Sequence, residues 1–288
     1  HKYKKGPYSE TWHRNGRLIS EEGHVTELLT REAVSWIETR GDRPFMLYVP
    51  YTAVHLPVRE PEEWVARVPA GITGEVARHY AASIMHLDDG VGRILAALER
   101  TGRRANTLVV FTSDNGGERF SDNWPLVGGK MDLTEGGIRV PWIAHWPEGI
   151  AKPGSTTAQH CMTMDWSATL VDLGGGKAHV DYPFDGVSLK PVLANPEATF
   201  ERPLYWRMNH RGQRALRSGD WKYLRVDGND YLFNVVADAR ERANLAKQEP
   251  DRLEAMRSEW ERWHSTMPPI PEDATISLGF SVKDMPQR

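Results

Sequence analysis

The stretch VVFTSDNGG, residues 109–117, ends a short apolar run with an aspartate, an asparagine and two glycines. Asp, Asn and Gly are the commonest turn residues, so the plain interpretation is a turn after a strand. Ligands of open α/β sheets, however, gather outside the carboxyl ends of the strands. The stretch therefore predicts a strand over residues 107–113 and marks Asp114 and Asn115 as candidate ligand-binding residues.

Helix-like and strand-like segments alternate on both sides of this stretch. Apolar residues recur at helical spacing over residues 26–39 and 75–99, and the run PFMLYVP at residues 44–50 is typical of a buried strand. Further along, the pattern predicts a strand over residues 140–146 and a helix over residues 163–173. This alternation, with its long crossovers, favours an α/β fold with a mostly parallel sheet flanked by helices.

The composition changes near residue 183. Residues 183–200 are proline-rich and predict a linker or a segment that wraps over the surface. Beyond it, short strand-like runs separated by Ser-Gly-Asp and Asp-Gly-Asn-Asp turns predict antiparallel hairpins, followed by a helix over residues 250–264. The predicted organisation is therefore an α/β domain over residues 1–182, the linker, and a small C-terminal α+β antiparallel subdomain over residues 201–288.

Length, charge and cysteine content bound the classes of function. A chain of 288 residues is long enough for one large domain and one small domain. A formal net charge of -3 gives no support to nucleic-acid binding. No apolar run approaches the roughly 20 residues that a membrane span requires. The single cysteine, Cys161, excludes an internal disulfide and is expected to be a buried small apolar residue.

The beginning of the sequence carries its own expectation. It reads HKYKKGPYSETW, without a Met, an apolar signal segment or a strand-like run. A doubly wound domain normally begins with a buried strand. We therefore expect the α/β domain to be N-terminally incomplete, with any targeting information upstream.

Side chains suited to catalysis lie in loops that should leave the same edge of the sheet. The oxygens of Asp114 and Asn115 are hard ligands, suited to Ca²⁺ or Mg²⁺. His55, which follows the run at residues 44–50, can donate a proton near neutral pH. Lys130, in GGKMDLTEGG, offers a point charge to a sulfate or phosphate oxygen. In the same segment, Glu135 and Arg139 are expected to brace the loop.

Each of these residues also has an ordinary structural interpretation. Taken alone, Asp-Asn-Gly is more often a turn than a site, and a lysine in a glycine-rich loop is usually solvated. Asp88 and Asp89 are adjacent in a predicted helix, where neighbouring side chains point about 100° apart, so we interpret them as structural. Trp221 and Lys222 are interpreted as part of a hairpin strand that packs on the main domain.

The order of these segments resembles that of the sulfatase family, within the alkaline-phosphatase-like superfamily. The resemblance rests on PFMLYVPYTAVHLPV, HYAASIMHLDDGVGRILAALERTGRRANTLVVFTSDNGG, PLVGGKMDLTEGGIRVPWIAHWP, ALRSGDWKYLR and DYLFNVVADARERANLA. It implies an alkaline-phosphatase-like fold and a hydrolase whose substrate is a sulfate ester of an aryl alcohol or a carbohydrate. It also implies a periplasmic or secreted location.

Carried over by position, the resemblance makes Asp114 and Asn115 ligands of a divalent cation, Ca²⁺ in the first place, with Mg²⁺ or Mn²⁺ as alternatives. It makes His55 and Lys130 the catalytic groups that hold the sulfate and assist departure of the alcohol oxygen. A cation and a lysine would offset charge on the sulfate oxygens while a histidine protonates the leaving group. Trp124 and His210 are candidate residues of the substrate pocket.

The family's nucleophile has no counterpart in this sequence. That nucleophile is a formylglycine made from a Cys or Ser in a C/S-x-P/A-x-R-type motif. Cys161 is followed by Met-Thr-Met and comes after the Asp-Asn pair, and no Ser lies in such a motif. The upstream paired aspartates of the family's metal shell are also missing. We therefore expect weak or absent sulfatase turnover from these residues alone.

Two other functions remain open from the sequence. A metal-activated water would allow hydrolysis of phosphate monoesters or diesters, with Asp114, Asn115 and His55 joined by His210 or His145. The chain would otherwise be a non-catalytic fold that self-associates as a homo-oligomer to cover apolar surface left by a missing segment.

Overall fold

The computed structural model describes residues 12–118 and 120–271, and these divide into two compact units. The first unit holds the described residues up to Thr107, and the second begins at Leu108. The domain boundaries derived from the sequence, at residues 182 and 200, stay predictions.

Helices dominate the first unit. Its elements are β1 (His13–Arg14), β2 (Arg17–Leu18), α1 (Val25–Thr39), α2 (Glu62–Val65) and α3 (Glu75–Arg100). The two helices predicted from periodicity are confirmed as α1 and α3, which pack on each other. Gly90 permits their close approach, because a Cβ at this position would lie 2.5 Å from Thr30 Oγ1.

The strand predicted over residues 44–50 is wrong. Residues 45–49 belong to none of the sheets among the described residues, and the side chains of Met46 and Tyr48 are exposed. An apolar run adopts an extended backbone readily, but a strand exists only where a neighbouring strand accepts and donates its hydrogen bonds. The residue pattern does not specify that partner.

The second unit is a mixed α+β structure. Its elements are β3 (Val109–Thr112), α4 (Glu135–Ile138), β4 (Trp142–His145), α5 (Thr163–Leu173), α6 (Lys190–Ala194), β5 (Leu204–Met208), β6 (Gln213–Ser218), β7 (Trp221–Val226), β8 (Asn229–Asn234) and α7 (Pro250–Ser265). The segments predicted as strands or helices at residues 107–113, 140–146, 163–173 and 250–264 are confirmed as β3, β4, α5 and α7. The short strand-like runs predicted beyond the linker are confirmed as β5, β6, β7 and β8.

The mostly parallel sheet is not confirmed. Within the described part of the chain every strand pair is antiparallel, including β3 with β4, in which Val109 lies opposite His145 and Thr112 opposite Trp142. Phe111 and Ile143 form an exposed apolar pair on this ribbon. Apolar runs indicate buried strands, but the direction of pairing depends on the partner and not on the run itself.

The C-terminal antiparallel sheet is confirmed, with strand order β5-β6-β7-β8. Positive φ angles at Gly219 (+54°) and Gly228 (+80°) allow the two tight turns that join β6 to β7 and β7 to β8. Alternating side chains divide between two faces of this sheet. One face packs on α7 through Met256 and Trp260, and the other packs on the segment that contains Leu133.

Among the residues that the structure describes, no helix is long and apolar enough to span a bilayer.

Candidate functional site

A sharp turn that contains Asp114 and Asn115, here called the Asp-Asn turn, follows β3. The Asp114 side chain is exposed and the Asn115 side chain is half-buried. Gly116 N donates to Gly137 O at 2.9 Å. A Cβ at Gly116 would lie 1.8 Å from Gly136 O, so only glycine allows the two backbone segments to approach this closely. The turn is therefore held by backbone contacts and places two oxygen-bearing side chains at one corner.

Lys130 belongs to a second segment, residues 127–137, here called the lysine loop. Lys130 N donates to Gly117 O at 3.0 Å. Asn123 joins the same point, because its Oδ1 accepts from Gly117 N and its Nδ2 donates to Gly117 O, both at 3.0 Å. Lys130 Nζ lies 3.5 Å from Glu118 Oε2. The Asp-Asn turn and the lysine loop therefore form one hydrogen-bonded cluster.

A buried ionic network lies where the lysine loop meets the C-terminal sheet. Glu135 Oε1 lies 3.1 Å from Lys222 Nζ, and Glu135 Oε2 lies 3.2 Å from an Arg217 nitrogen. Lys222 Nζ also lies 2.9 Å from Glu241 Oε1. Burial raises the pKa of Glu241, opposed by the Lys222 ammonium, and burial lowers the pKa of Arg217. Two carboxylates and two cations thus pair with one another out of contact with water. Such pairing is needed because an unpaired buried charge is strongly unfavourable.

Gln213 fastens the middle of the lysine loop to the same sheet. Its Oε1 accepts from Leu133 N at 2.9 Å, and its Nε2 donates to Met131 O at 2.8 Å. The same Nε2 donates to His210 O at 3.2 Å, which places His210 beside the segment that follows Lys130. The loop is therefore docked on the sheet at Gln213 as well as at the ionic network.

Trp124 lies next to Asn123, on the exposed side of the cluster. Its side chain is 72% exposed. The Arg240 Cζ atom lies 4.5 Å from the centre of the indole ring. Trp124 N donates to Asp122 Oδ1 at 2.9 Å, which holds the backbone of this residue. The result is a flat aromatic surface with a guanidinium group on it.

The candidate histidines lie in different places. His55 is an exposed residue of the first unit, and its Nδ1 donates to Leu56 O at 2.5 Å. His145 lies on β4 opposite Val109, which is at the start of β3, whereas the Asp-Asn turn follows the end of β3. Asp114, Asn115 and Lys130 therefore lie together in the second unit, and His55 lies in the first.

The partners of Glu135 were not predicted from the sequence. Lys222 was predicted in a hairpin strand, and Arg217, Glu241 and Gln213 received no role. Arg139, the predicted partner of Glu135, lies 4.0 Å away with a side chain that is 57% exposed. One signal was available: strand alternation places Arg217 and Lys222 on the face that also carries buried apolar residues, and a charged side chain at such a position indicates a buried partner.

A second group of potential metal ligands lies in the first unit. Glu60 accepts from His86 Nδ1 at 2.8 Å, and its other oxygen lies 3.5 Å from His24 Nε2. His24 Nδ1 accepts from Thr26 N at 3.3 Å while His24 Nε2 donates to Arg59 O at 3.1 Å. Because the oxygens of Glu60 and Arg59 accept hydrogen bonds, we assign protons to the nitrogens that face Glu60, whereas a metal needs their lone pairs. We assign these residues to a hydrogen-bonded network around the buried Glu60.

This network predicts a pH dependence of stability. Burial lowers the pKa of His24 below its usual value of 6.5. The unfolded chain therefore binds a proton near pH 6.5 that the folded chain does not, so the free energy of unfolding should fall as the pH is lowered from about 7.5 to about 5.5. His24→Asn keeps an oxygen that can cap α1 but removes the titration, and should flatten this dependence. Urea unfolding at several pH values measures it.

The control for this prediction is His145→Asn, which changes an exposed histidine of the second unit. Its pH dependence should match that of the unmodified chain. An unchanged pH dependence in His24→Asn would contradict the assignment to His24.

Comparisons with known proteins relate most of the chain to one family. The profile of the family described as Sulfatase matches residues 1–176. N-acetylgalactosamine-6-sulfatase of Mus musculus is 34% identical over 234 residues, which cover 75% of this chain and 43% of the relative. Arylsulfatase D of Homo sapiens is 34% identical over 194 residues, which cover 62% of this chain and 31% of the relative. The chain thus spans less than half the length of these two curated relatives.

Solved structures agree with the sequence comparisons. The crystal structure of Ps i-CgsB in complex with k-i-k-neocarrahexaose is similar to this chain with 32% sequence identity and a TM-score of 0.79. The match covers 86% of this chain and 56% of that chain.

Proposed function

Because the chain belongs to the sulfatase family, we propose that it provides cation-binding and sulfate-binding groups of a sulfate-ester hydrolase site. The observation that carries this proposal is the cluster in which Gly117 O accepts from Lys130 N, because it links the Asp-Asn turn to the lysine loop. A carboxylate, an amide oxygen and an ammonium group then lie on connected backbone segments.

Asp114 and Asn115 are proposed to hold the divalent cation. Their oxygens are hard donors, which fits Ca²⁺ first and Mg²⁺ or Mn²⁺ second. Ca²⁺ takes about six to eight oxygen ligands, so this turn supplies a part of the shell and water or other protein groups supply the rest. When bound, the cation contributes positive charge that offsets the charge on the sulfate oxygens.

Lys130 and His55 are proposed to act on the sulfate ester itself. The Lys130 ammonium, held near Glu118, would pair with a sulfate oxygen as a point charge. His55 would donate a proton to the alcohol oxygen as the sulfur–oxygen bond breaks. The role of His55 rests on the family resemblance of YTAVHLPV, and that of Lys130 rests also on the geometry of the cluster.

We extend the proposal to a sulfated carbohydrate as the substrate. One relative is named an N-acetylgalactosamine-6-sulfatase, and one similar structure was solved with a neocarrahexaose. The exposed indole of Trp124 offers a flat face to a sugar ring, and Arg240 beside it can pair with an anionic substituent. His210, close to the lysine loop, is proposed as a further pocket residue.

The nucleophile is the missing part of this proposal. The sequence contains no formylglycine motif, and its one cysteine has a pKa that burial raises to about 12. A thiol with such a pKa is a poor nucleophile near neutral pH. We therefore expect these 288 residues to bind the cation and sulfate but to turn over sulfate esters weakly or not at all.

Calorimetric titration of the chain with Ca²⁺, and then with sodium sulfate in the presence of Ca²⁺, tests the proposal. We expect weak Ca²⁺ binding, with a Kd of about 10⁻³ M, because the turn supplies few of the ligands. Asp114→Ala should abolish this binding. Lys130→Ala should leave it unchanged and weaken sulfate binding by about tenfold or more, because a desolvated charge pair is lost.

Asp181→Ala, at an exposed carboxylate elsewhere in the second unit, is the matched control and should bind both ions as the unmodified chain does. Equal Ca²⁺ affinity in Asp114→Ala and in the unmodified chain would overturn the assignment of the cation site. Hydrolysis of aryl phosphates that a chelator stops, in the absence of sulfate-ester hydrolysis, would favour the metal-activated water and the phosphate-ester alternative.

A further inference from the structure

We propose that Lys222 is a positioning residue: together with Glu135 and Glu241 it sets the place of the lysine loop, and through this loop the places of Lys130 and the Asp-Asn turn. The catalytic meaning of this anchor rests on the proposed function. Its geometric part, that Lys222 holds the loop, stands on contacts within the second unit alone.

Lys222 is held in place by the C-terminal sheet. Lys222 lies on β7, an inner strand of the four-stranded sheet, where it is opposite Arg217 on β6 and Phe233 on β8. Its side chain is 0% exposed, and its Nζ lies between Glu135 Oε1 at 3.1 Å and Glu241 Oε1 at 2.9 Å. A fully buried ammonium has no route to a substrate. Lys222 therefore acts only through the two carboxylates that it holds.

The contacts hold the backbone of the lysine loop at Glu135 as well as the Glu135 side chain. Glu135 N donates to Glu241 Oε2 at 2.6 Å. Glu241 therefore holds the backbone of Glu135 while Lys222 holds its carboxylate. Two residues further on, Gly137 O accepts from Gly116 N at 2.9 Å, directly beside Asn115. A displacement of Glu135 would consequently shift the Asp-Asn turn.

The lysine loop has little room to absorb such a displacement. A Cβ at Gly137 would lie 2.0 Å from Asp132 O and 2.4 Å from Gly129 O, so the two ends of the loop are in backbone contact. Lys130 follows Gly129 directly and is itself tied to Gly117 O at 3.0 Å. The loop should therefore move as one piece, and Lys130 should move with Glu135.

A buried ionic contact fixes the position of the loop more narrowly than an apolar contact would. Hydrogen-bonded charges in a buried site tolerate only narrow ranges of distance and direction, whereas apolar side chains can slide on one another. Replacing Lys222 alone would leave two carboxylates facing each other out of water, which strongly disfavours the observed arrangement.

The test combines Lys222→Met with the charge-balanced double variant K222M/E241Q, in which Glu135 and Arg217 remain paired. Amide hydrogen exchange of the full chain should show the amides of Glu135, Gly136 and Gly137 exchanging about 100-fold faster in both variants. In the double variant, the amides of β7 should stay within about tenfold of the unmodified chain. Lys152→Met, which removes an exposed ion pair with Glu197, is the control and should change neither region.

A second readout follows Lys130 itself. Reductive methylation with ¹³C-formaldehyde gives each accessible lysine a dimethylamine NMR signal, and Lys130→Arg identifies the signal of Lys130. This signal should shift in K222M/E241Q, because Lys130 leaves its place near Glu118, and should not shift in Lys152→Met. A purely structural role of Lys222 would leave the signal unchanged once the buried charge is balanced.

The outcomes separate this inference from the proposed function. In the double variant, the amides of the lysine loop could exchange at the rate of the unmodified chain, or could speed up only as much as the amides of β7. Either result would overturn the proposal that Lys222 holds the loop. Absence of Ca²⁺ binding by the unmodified chain would overturn the proposed function and leave the exchange result valid. If Ca²⁺ binds, we expect about tenfold weaker binding in the double variant, and equal binding would overturn the link from the anchor to the cation site.

Discussion

Replacing Glu135 by alanine is expected to lower the free energy of unfolding of the second unit by about 3–5 kcal/mol. Glu135 is 1% exposed, and its two oxygens face Lys222 and Arg217. Its removal would leave two buried cations with Glu241 as the nearby carboxylate, in a place where water cannot replace the lost partner. Urea unfolding followed by circular dichroism measures the loss.

Arg139→Ala is the matched control for this prediction. Arg139 also lies within ion-pair distance of Glu135, at 4.0 Å, but its side chain is 57% exposed. An exposed pair of this kind contributes about 0–1 kcal/mol, so the control should be close to neutral. A loss in Glu135→Ala that is no larger than the loss in Arg139→Ala would show that the buried network does not stabilise the unit.

Trp260→Ala is the second substitution with a large expected effect, again about 3–5 kcal/mol lost. Trp260 is 1% exposed and packs from α7 against the face of the sheet that carries Leu216, Tyr223 and Leu232. Its Nε1 donates to Trp206 O at 2.9 Å, so the substitution would create a cavity and also remove this hydrogen bond. Thermal and urea unfolding would both report the loss.

Trp124→Ala separates burial from residue type in the same unit. Trp124 is 72% exposed, so its truncation should change the free energy of unfolding by no more than about 0.5 kcal/mol. We expect it instead to weaken binding of a sulfated oligosaccharide, because Trp124 is proposed to line the substrate pocket. Equal stability losses in the two tryptophan variants would contradict the assignment of Trp260 to the core.

The C-terminal sheet has two roles in this arrangement. One face binds α7 through an apolar cluster, and the other carries the ionic network and Gln213 against the lysine loop. The C-terminal sheet therefore packs against the candidate site and holds the lysine loop in place. Substitutions on this face, far from Asp114 in the sequence, should change ligand binding as well as stability.

Much of the local structure could be derived from the residue pattern. Helical spacing of apolar residues located α1 and α3, and Ser-Gly-Asp and Asp-Gly-Asn-Asp located the turns around β7. These features follow from contacts between residues that are near in sequence, so their signal lies within a short window. The family resemblance named Asp114, Asn115, Lys130 and His55, whose roles stay proposals.

Long-range contacts determined the rest. The antiparallel pairing of β3 with β4, and the absence of a strand at residues 45–49, depended on which segments lie side by side. Lys222 and Glu135 are 87 residues apart in the sequence, and neither has a local pattern that names the other. Periodicity can indicate that a face is buried, but only the folded chain brings a buried charge to its partner, because that pairing is a property of tertiary packing and not of either segment alone.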